Sequence, residues 1–154
     1  MELEIIQIHN LAQLLAWRAE VIENVFGMTP DATLMQANEA YYRQHTPSGE
    51  HEAYIARCDG VEAGCGAICY TAELPSPDNP SGRCAYLMNI YVRAPFRMNG
   101  LGHLIVKHLI VKARGRGCDK IYLETTDAGR PIYSELGFED MTNMMKLNDT
   151  QHQR

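Results

Sequence analysis

Six residues, Arg97-Met98-Asn99-Gly100-Leu101-Gly102, end an apolar, β-prone run and open a stretch of helical periodicity. A strand that turns into a helix at two glycines gathers unpaired backbone N–H groups and the positive helix end at one point. Glycine also lets an anion's oxygens approach the main chain. This is a physical site for a pyrophosphate, and the Arg97 guanidinium can add a charge-assisted bond. Two glycines at this spacing also serve ordinary tight packing in a βα turn, so the surrounding elements must decide.

Those elements follow from periodicity. Leu3, Ile5, Ile6 and Ile8 read as a strand, and Asn10 caps a helix whose apolar positions run from Leu11 to Phe26 before Gly27. A second helix is predicted from about Asp31 to His45. Tyr54 to Cys58, the pair Asp59-Gly60, and Val61 to about Thr71 read as a β-hairpin. Residues 73 to 83, with three prolines, form a loop. Cys84 to Val92 is a strand, Leu101 to about Arg116 a helix, Lys120 to Thr125 a strand and Pro131 to Leu136 a short helix ended by Gly137; Met141 to Leu147 supplies a last strand. This order predicts an α/β or α+β fold, a mixed central sheet flanked by helices, with the two strands around the 101 to 116 helix parallel.

The 154 residues, 45% hydrophobic and 21% charged, fit one domain spanning 1–154. No run of eighteen apolar residues occurs and the N-terminus is acidic, so no membrane association and a cytoplasmic location are expected. The five cysteines lack a CxxC pair and the six histidines lack ligand spacing, which predicts reduced thiols and no metal. A net charge of −5 argues against a nucleic-acid partner. Between Arg93 and Lys120, however, seven cations face one anion, Asp119. A basic zone in an acidic chain suits a small polyanion, although Lys112, Arg114 and Arg116 equally describe the solvated face of a helix.

The run Arg97 to Gly102 resembles the R/Q-x-x-G-x-G/A signature of the GNAT superfamily of N-acetyltransferases. Upstream, YLMNIYV is similar to that family's central strand; downstream, IYLETTDAGRPIYSELGF resembles its next strand and the helix carrying a tyrosine before LGF. The strong resemblance covers about residues 84 to 138. It implies splayed parallel central strands that admit the pantetheine arm of acetyl-CoA, pairing with the backbone of Ile90, Tyr91 and Val92. The pyrophosphate would rest on Arg97, Met98, Asn99, Gly100, Leu101 and Gly102. Asp127 stands where many relatives carry a cofactor-touching asparagine, and Met98 and Asn99 replace a common arginine or glycine, so main-chain donors gain weight.

GNAT chemistry, by this resemblance, is direct attack of an uncharged primary amine on the thioester. Tyr133 matches the tyrosine that commonly protonates the leaving thiolate, with packing against the sheet as its plainer role. An aliphatic amine of pKa about 10 is about 0.1% uncharged at pH 7, so a base is needed. The strand 84 to 92 offers no acid. Glu124 is the first candidate, Glu73 the second, and a solvated carboxylate the plain alternative for both. Tyr70 and Tyr86 could line the acceptor cleft or simply pack. The competing functions are a non-catalytic acyl-CoA-binding module and a nucleotide-binding regulator, the latter lacking both GxxxxGK[ST] and GxGxxG. Phe138 leaves little room for the long hairpin that closes the cleft in some relatives, and a homodimer could complete it.

Overall fold

The computed structural model describes residues 1–149. Strand β1 (Leu3–Ile8) leads into helices α1 (Leu11–Val25) and α2 (Ala32–His45). Asn10 and Asp31 cap the two helices, accepting from the N–H groups of Gln13 and Leu34. The hairpin β2 (His51–Cys58) and β3 (Val61–Ala72) follows, then β4 (Arg83–Val92), one 3₁₀ turn (Ala94–Phe96), α3 (Leu101–Gly115), β5 (Lys120–Leu123) and α4 (Arg130–Glu135). The strands form one mixed sheet in the order β1-β2-β3-β4-β5, antiparallel except for the parallel pair β4 and β5.

Alternation along the strands gives the sheet two apolar faces. Tyr54, Ala56, Ile68, Ala85 and Leu87 pack against α3 through Leu101, Ile105 and Leu109. Ala53, Ile55, Cys65 and Ala67 pack against Leu14, Trp17 and Val21 of α1 and Tyr42 of α2. Helix α3 lies close on the sheet because β3 has Gly66 beneath it: a Cβ there would sit 2.6 Å from Ile105 Cγ2. That close approach brings the start of α3 against the end of β4.

Opposite Gly66 the ladder is irregular. Cys65 pairs with Tyr91 and Ala67 with Met88, so Asn89 and Ile90 together face one residue. Such an extra residue is a β-bulge, and Asn89 adopts φ 55°, a left-handed conformation that asparagine tolerates better than most residues. The Cys65 thiol donates to the Asn89 carbonyl at 3.1 Å.

Two expectations are corrected here. The expected strand Met141 to Leu147 does not form; the segment lies across a cleft from β5 rather than on its edge, and without a ladder partner its backbone has no reason to stay extended. Strand β5 ends at Leu123 instead of Thr125, because β4 no longer lies beside it there.

Candidate active site

The start of α3 is an anion-binding geometry built from main chain. Gly100 occupies the cap position at φ 76° with no side-chain cap, and the first turn carries no acid. The first backbone bond into the helix runs from Leu104 N–H to the Gly100 carbonyl. The N–H groups of Leu101, Gly102 and His103 therefore have no partner in the helix ladder. Among the described residues nothing lies within 4 Å of where a Gly100 Cβ would be, so the approach is open, and this cradle fits a pyrophosphate. Arg97 is exposed and its Nε donates to the Val92 carbonyl at 3.0 Å. Asn99 bonds the Phe96 carbonyl, and the Met98 side chain is wholly exposed. Of these residues the main chain, more than the side chains, faces the cradle.

Strands β4 and β5 pair only from Cys84–Lys120 to Leu87–Leu123, while β4 continues to Val92. Ile90, Tyr91 and Val92 thus have no β5 neighbour, and a wedge opens between the strands. On the α1–α2 face of this wedge, Tyr86 stacks against Tyr122 at 5.1 Å and its hydroxyl donates to Glu124 Oε1 at 3.1 Å. Burial, then the Glu124 charge, pushes the Tyr86 phenol up to about 12, so it stays protonated and donating.

Tyr133 lies on the opposite, α3 face, half-buried with Phe138 edge-on to it at 5.9 Å. Burial raises its pKa. Helix α4 is held to the first turn of α3 by His103 and Glu135, 2.6 Å apart. The remaining candidates separate. Tyr70 belongs to the α3 face, under the Arg116 guanidinium at 3.8 Å, and does not share a face with Tyr86. Glu73 is bound by Lys120 at 2.9 Å and 3.0 Å and accepts from the Cys84 thiol; the Lys120 hydrogen bond lowers its pKa, which suits an ion pair rather than a base. Asp127 points into solvent beside Arg130.

The α1 wall of the wedge escaped the sequence reading. Arg93, just past β4, is gripped by both oxygens of Glu20 at 2.8 Å and lies over the Trp17 ring at 4.3 Å, which pins α1 to β4. Next to Trp17 on α1, Arg18 reaches Asn38 of α2 and Asn89 of the bulge. The only sequence signal for this was Asn89 itself, a polar turn-former inside an apolar strand. Farther along the same face, Tyr41 contacts His51 Nδ1 at 2.9 Å and the Cys69 thiol at 3.0 Å. Burial lowers the His51 pKa to about 4.

The model of the acetyltransferase (GNAT) family matches residues 14–138. The chain belongs to that family. As a GNAT protein it is 35% identical to glucosamine 6-phosphate N-acetyltransferase 1 of Oryza sativa subsp. japonica over 43% of this chain and 40% of that one. It is 30% identical to thialysine N-epsilon-acetyltransferase of Sus scrofa over 56% of this chain and 64% of that one. The chain thus spans roughly half the length of these curated relatives. A predicted acetyltransferase of Clostridium acetobutylicum, solved with acetyl-CoA, superposes with a TM-score of 0.86 at 21% identity, over 99% of this chain and 100% of that one. The mixed sheet with helices on both faces is the GNAT fold. Among the described residues no helix is long and apolar enough to cross a membrane.

Proposed function

We propose that residues 1–154 form one cytoplasmic N-acetyltransferase domain that moves the acetyl group of acetyl-CoA to a primary amine. One observation carries this reading: β4 and β5 part after Leu87 and Leu123, leaving a wedge with an open anion cradle at one end. Acetyl-CoA, as co-substrate, supplies an acetyl group activated as a thioester. The N–H groups around Gly100, Leu101 and Gly102, with Arg97 and the backbone of Met98 and Asn99, hold its phosphates. The β5-facing edge of Ile90, Tyr91 and Val92, which has no β5 neighbour, takes the pantetheine arm as an added strand.

Tyr133 and Glu124 sit on opposite faces of the sheet, which suits a reaction that needs a proton donor at the leaving sulfur and a proton acceptor at the incoming amine. Tyr133 donates to the sulfur. Glu124, oriented by Tyr86, takes the amine proton directly or through water, and the face it occupies is the one the acceptor must enter. Asp127 is left outside the cofactor contacts. The test is release of free thiol from acetyl-CoA with a panel of amines, beginning with glucosamine 6-phosphate and thialysine. Turnover with any of them supports the proposal. Binding of acetyl-CoA without turnover of any amine would instead favour the acyl-CoA-binding module.

A homodimer completes this reading. Among the described residues β5 has no strand on its outer edge. A cleft of about 1010 Å³ separates that edge from residues 141–147, where Met144 is 56% and Met145 99% exposed. Unpaired strand edges beside apolar side chains are places where chains associate, and the 141–147 segment of a second copy supplies the missing strand. Sedimentation is expected to give twice the 17.3 kDa chain mass, reduced to the single mass by Met145→Lys. A monomer at every concentration would refute it.

A further inference from the structure

Arg18, Arg57 and Arg93 are the partly buried arginines of the described chain. Arg57 pairs with Glu4, and Arg93 with Glu20. Arg18 alone of the three has no carboxylate partner among the described residues. Its guanidinium donates only to neutral amide oxygens, Asn38 Oδ1 at 3.1 Å and Asn89 Oδ1 at 2.9 Å. The titratable groups that respond to its charge are Tyr42, His51, Cys65 and Cys69, all neutral at pH 7 because burial raises the phenol and thiols and lowers the imidazole. A partly desolvated cation surrounded by dipoles retains a strong attraction for a counter-ion, and a guanidinium holds carboxylate or phosphate through paired N–H donors.

The position of this cation matters as much as its pairing. Asn89 lies two residues beyond Leu87, the last β4 residue paired with β5, so Arg18 stands at the mouth of the wedge. It stands on the α1–α2 face, which also carries Tyr86 and Glu124. Above it, the turn between α1 and α2 exposes Phe26 by 63% and Met28 by 58%, with the guanidinium 5.9 Å from the Phe26 ring centre. The acceptor entrance therefore combines an apolar rim with a cation that no carboxylate among the described residues neutralises.

We infer that Arg18 is a specificity-determining residue that binds an anionic group, carboxylate or phosphate, on the amine acceptor, so that the substrates of this protein are acidic amines. The inference rests on the acetyltransferase reading. The acceptor's anion docks on Arg18 between α1 and the β4 bulge while its amine is left facing Glu124. Asn38 and Asn89 fix the guanidinium plane, so little conformational freedom is lost on binding.

The experiment compares kcat/KM for matched pairs, lysine against lysinamide and glucosamine 6-phosphate against glucosamine, in wild type, Arg18→Gln and Arg18→Lys. The first pair reads a carboxylate and the second a phosphate. Wild type is expected to favour the acidic member of at least one pair by about tenfold or more. Arg18→Gln should lower kcat/KM for that member by about 10- to 100-fold and leave the neutral member within about threefold, with partial recovery in Arg18→Lys. With coenzyme A present, the same acidic amine should raise the melting temperature of wild type more than that of Arg18→Gln. Equal kcat/KM within both wild-type pairs, or an equal loss for acidic and neutral members in Arg18→Gln, overturns the inference and leaves acetyl transfer standing; the equal loss would make Arg18 a support for the bulge alone. Failure of a protein that binds acetyl-CoA to acetylate any amine overturns the acetyltransferase reading, and this inference with it.

Discussion

Tyr133→Phe deletes one oxygen from a ring whose position is otherwise set by packing. The ring meets Phe138 edge-on at 5.9 Å and belongs to the apolar layer under α3, and its hydroxyl bonds to nothing among the described residues. The substitution breaks no hydrogen bond among the described residues, so stability is expected to stay within about 0.5 kcal/mol of wild type. Burial raises the phenol pKa, which keeps the proton in place at neutral pH and available to a departing thiolate. A general acid contributes about 10- to 1000-fold, equal to about 1.4 to 4.1 kcal/mol of barrier, and the loss should fall on kcat. Acetyl-CoA affinity should change little, since the backbone contacts are untouched. Steady-state kinetics at saturating acetyl-CoA, calorimetric affinity and a melting curve separate these quantities. Wild-type turnover in a folded variant would refute a catalytic hydroxyl, and a loss confined to affinity would make Tyr133 a binding residue.

Three further outcomes follow from the same geometry. Gly102→Val puts branched carbon at the cradle, where even a Cβ would sit 3.3 Å from Ile132 Cδ1; acetyl-CoA affinity by calorimetry should drop at least about tenfold while the protein stays folded, and unchanged affinity would remove the phosphates from this turn. Glu124→Gln keeps a hydrogen-bond acceptor for Tyr86 but removes the base, so turnover should fall about 100-fold or more and its dependence on pH should flatten; full activity would return the search for the base to solvent. His51 is buried with its pKa lowered from 6.5 to about 4, so between these values the unfolded chain binds more protons than the folded one. Stability should therefore be full above pH 6.5 and decline by about 3 kcal/mol as pH falls towards 4. Urea midpoints across that range measure the slope, which His51→Gln should flatten; an unchanged slope would place it in other groups.

What the sequence determined by itself is local or periodic. Asn10 and Asp31 cap their helices because a short acceptor side chain finds its own N–H groups three residues on, whatever else the chain does. The turn Arg97 to Gly102 was legible as a candidate anion cradle for the same reason: an uncapped helix start with glycines exposes backbone N–H groups through local geometry alone. The apolar run of β4, the helix after it and the strand beyond implied a parallel pair, since so few connections join such elements. Tertiary structure decided which face each residue meets and where pairing stops. Tyr70 and Tyr86 look alike in sequence, yet one lies under Arg116 and the other holds Glu124, because face depends on the register of several strands. The run 141 to 147 has strand composition but stands across a cleft from the open edge of β5, and pairing rather than propensity makes a strand. Arg18 stands 71 residues before Asn89, and nothing in either neighbourhood announces their contact. A cation's missing counter-ion is a property of the space around it, and that space exists only once α1, α2 and the β4 bulge have come together.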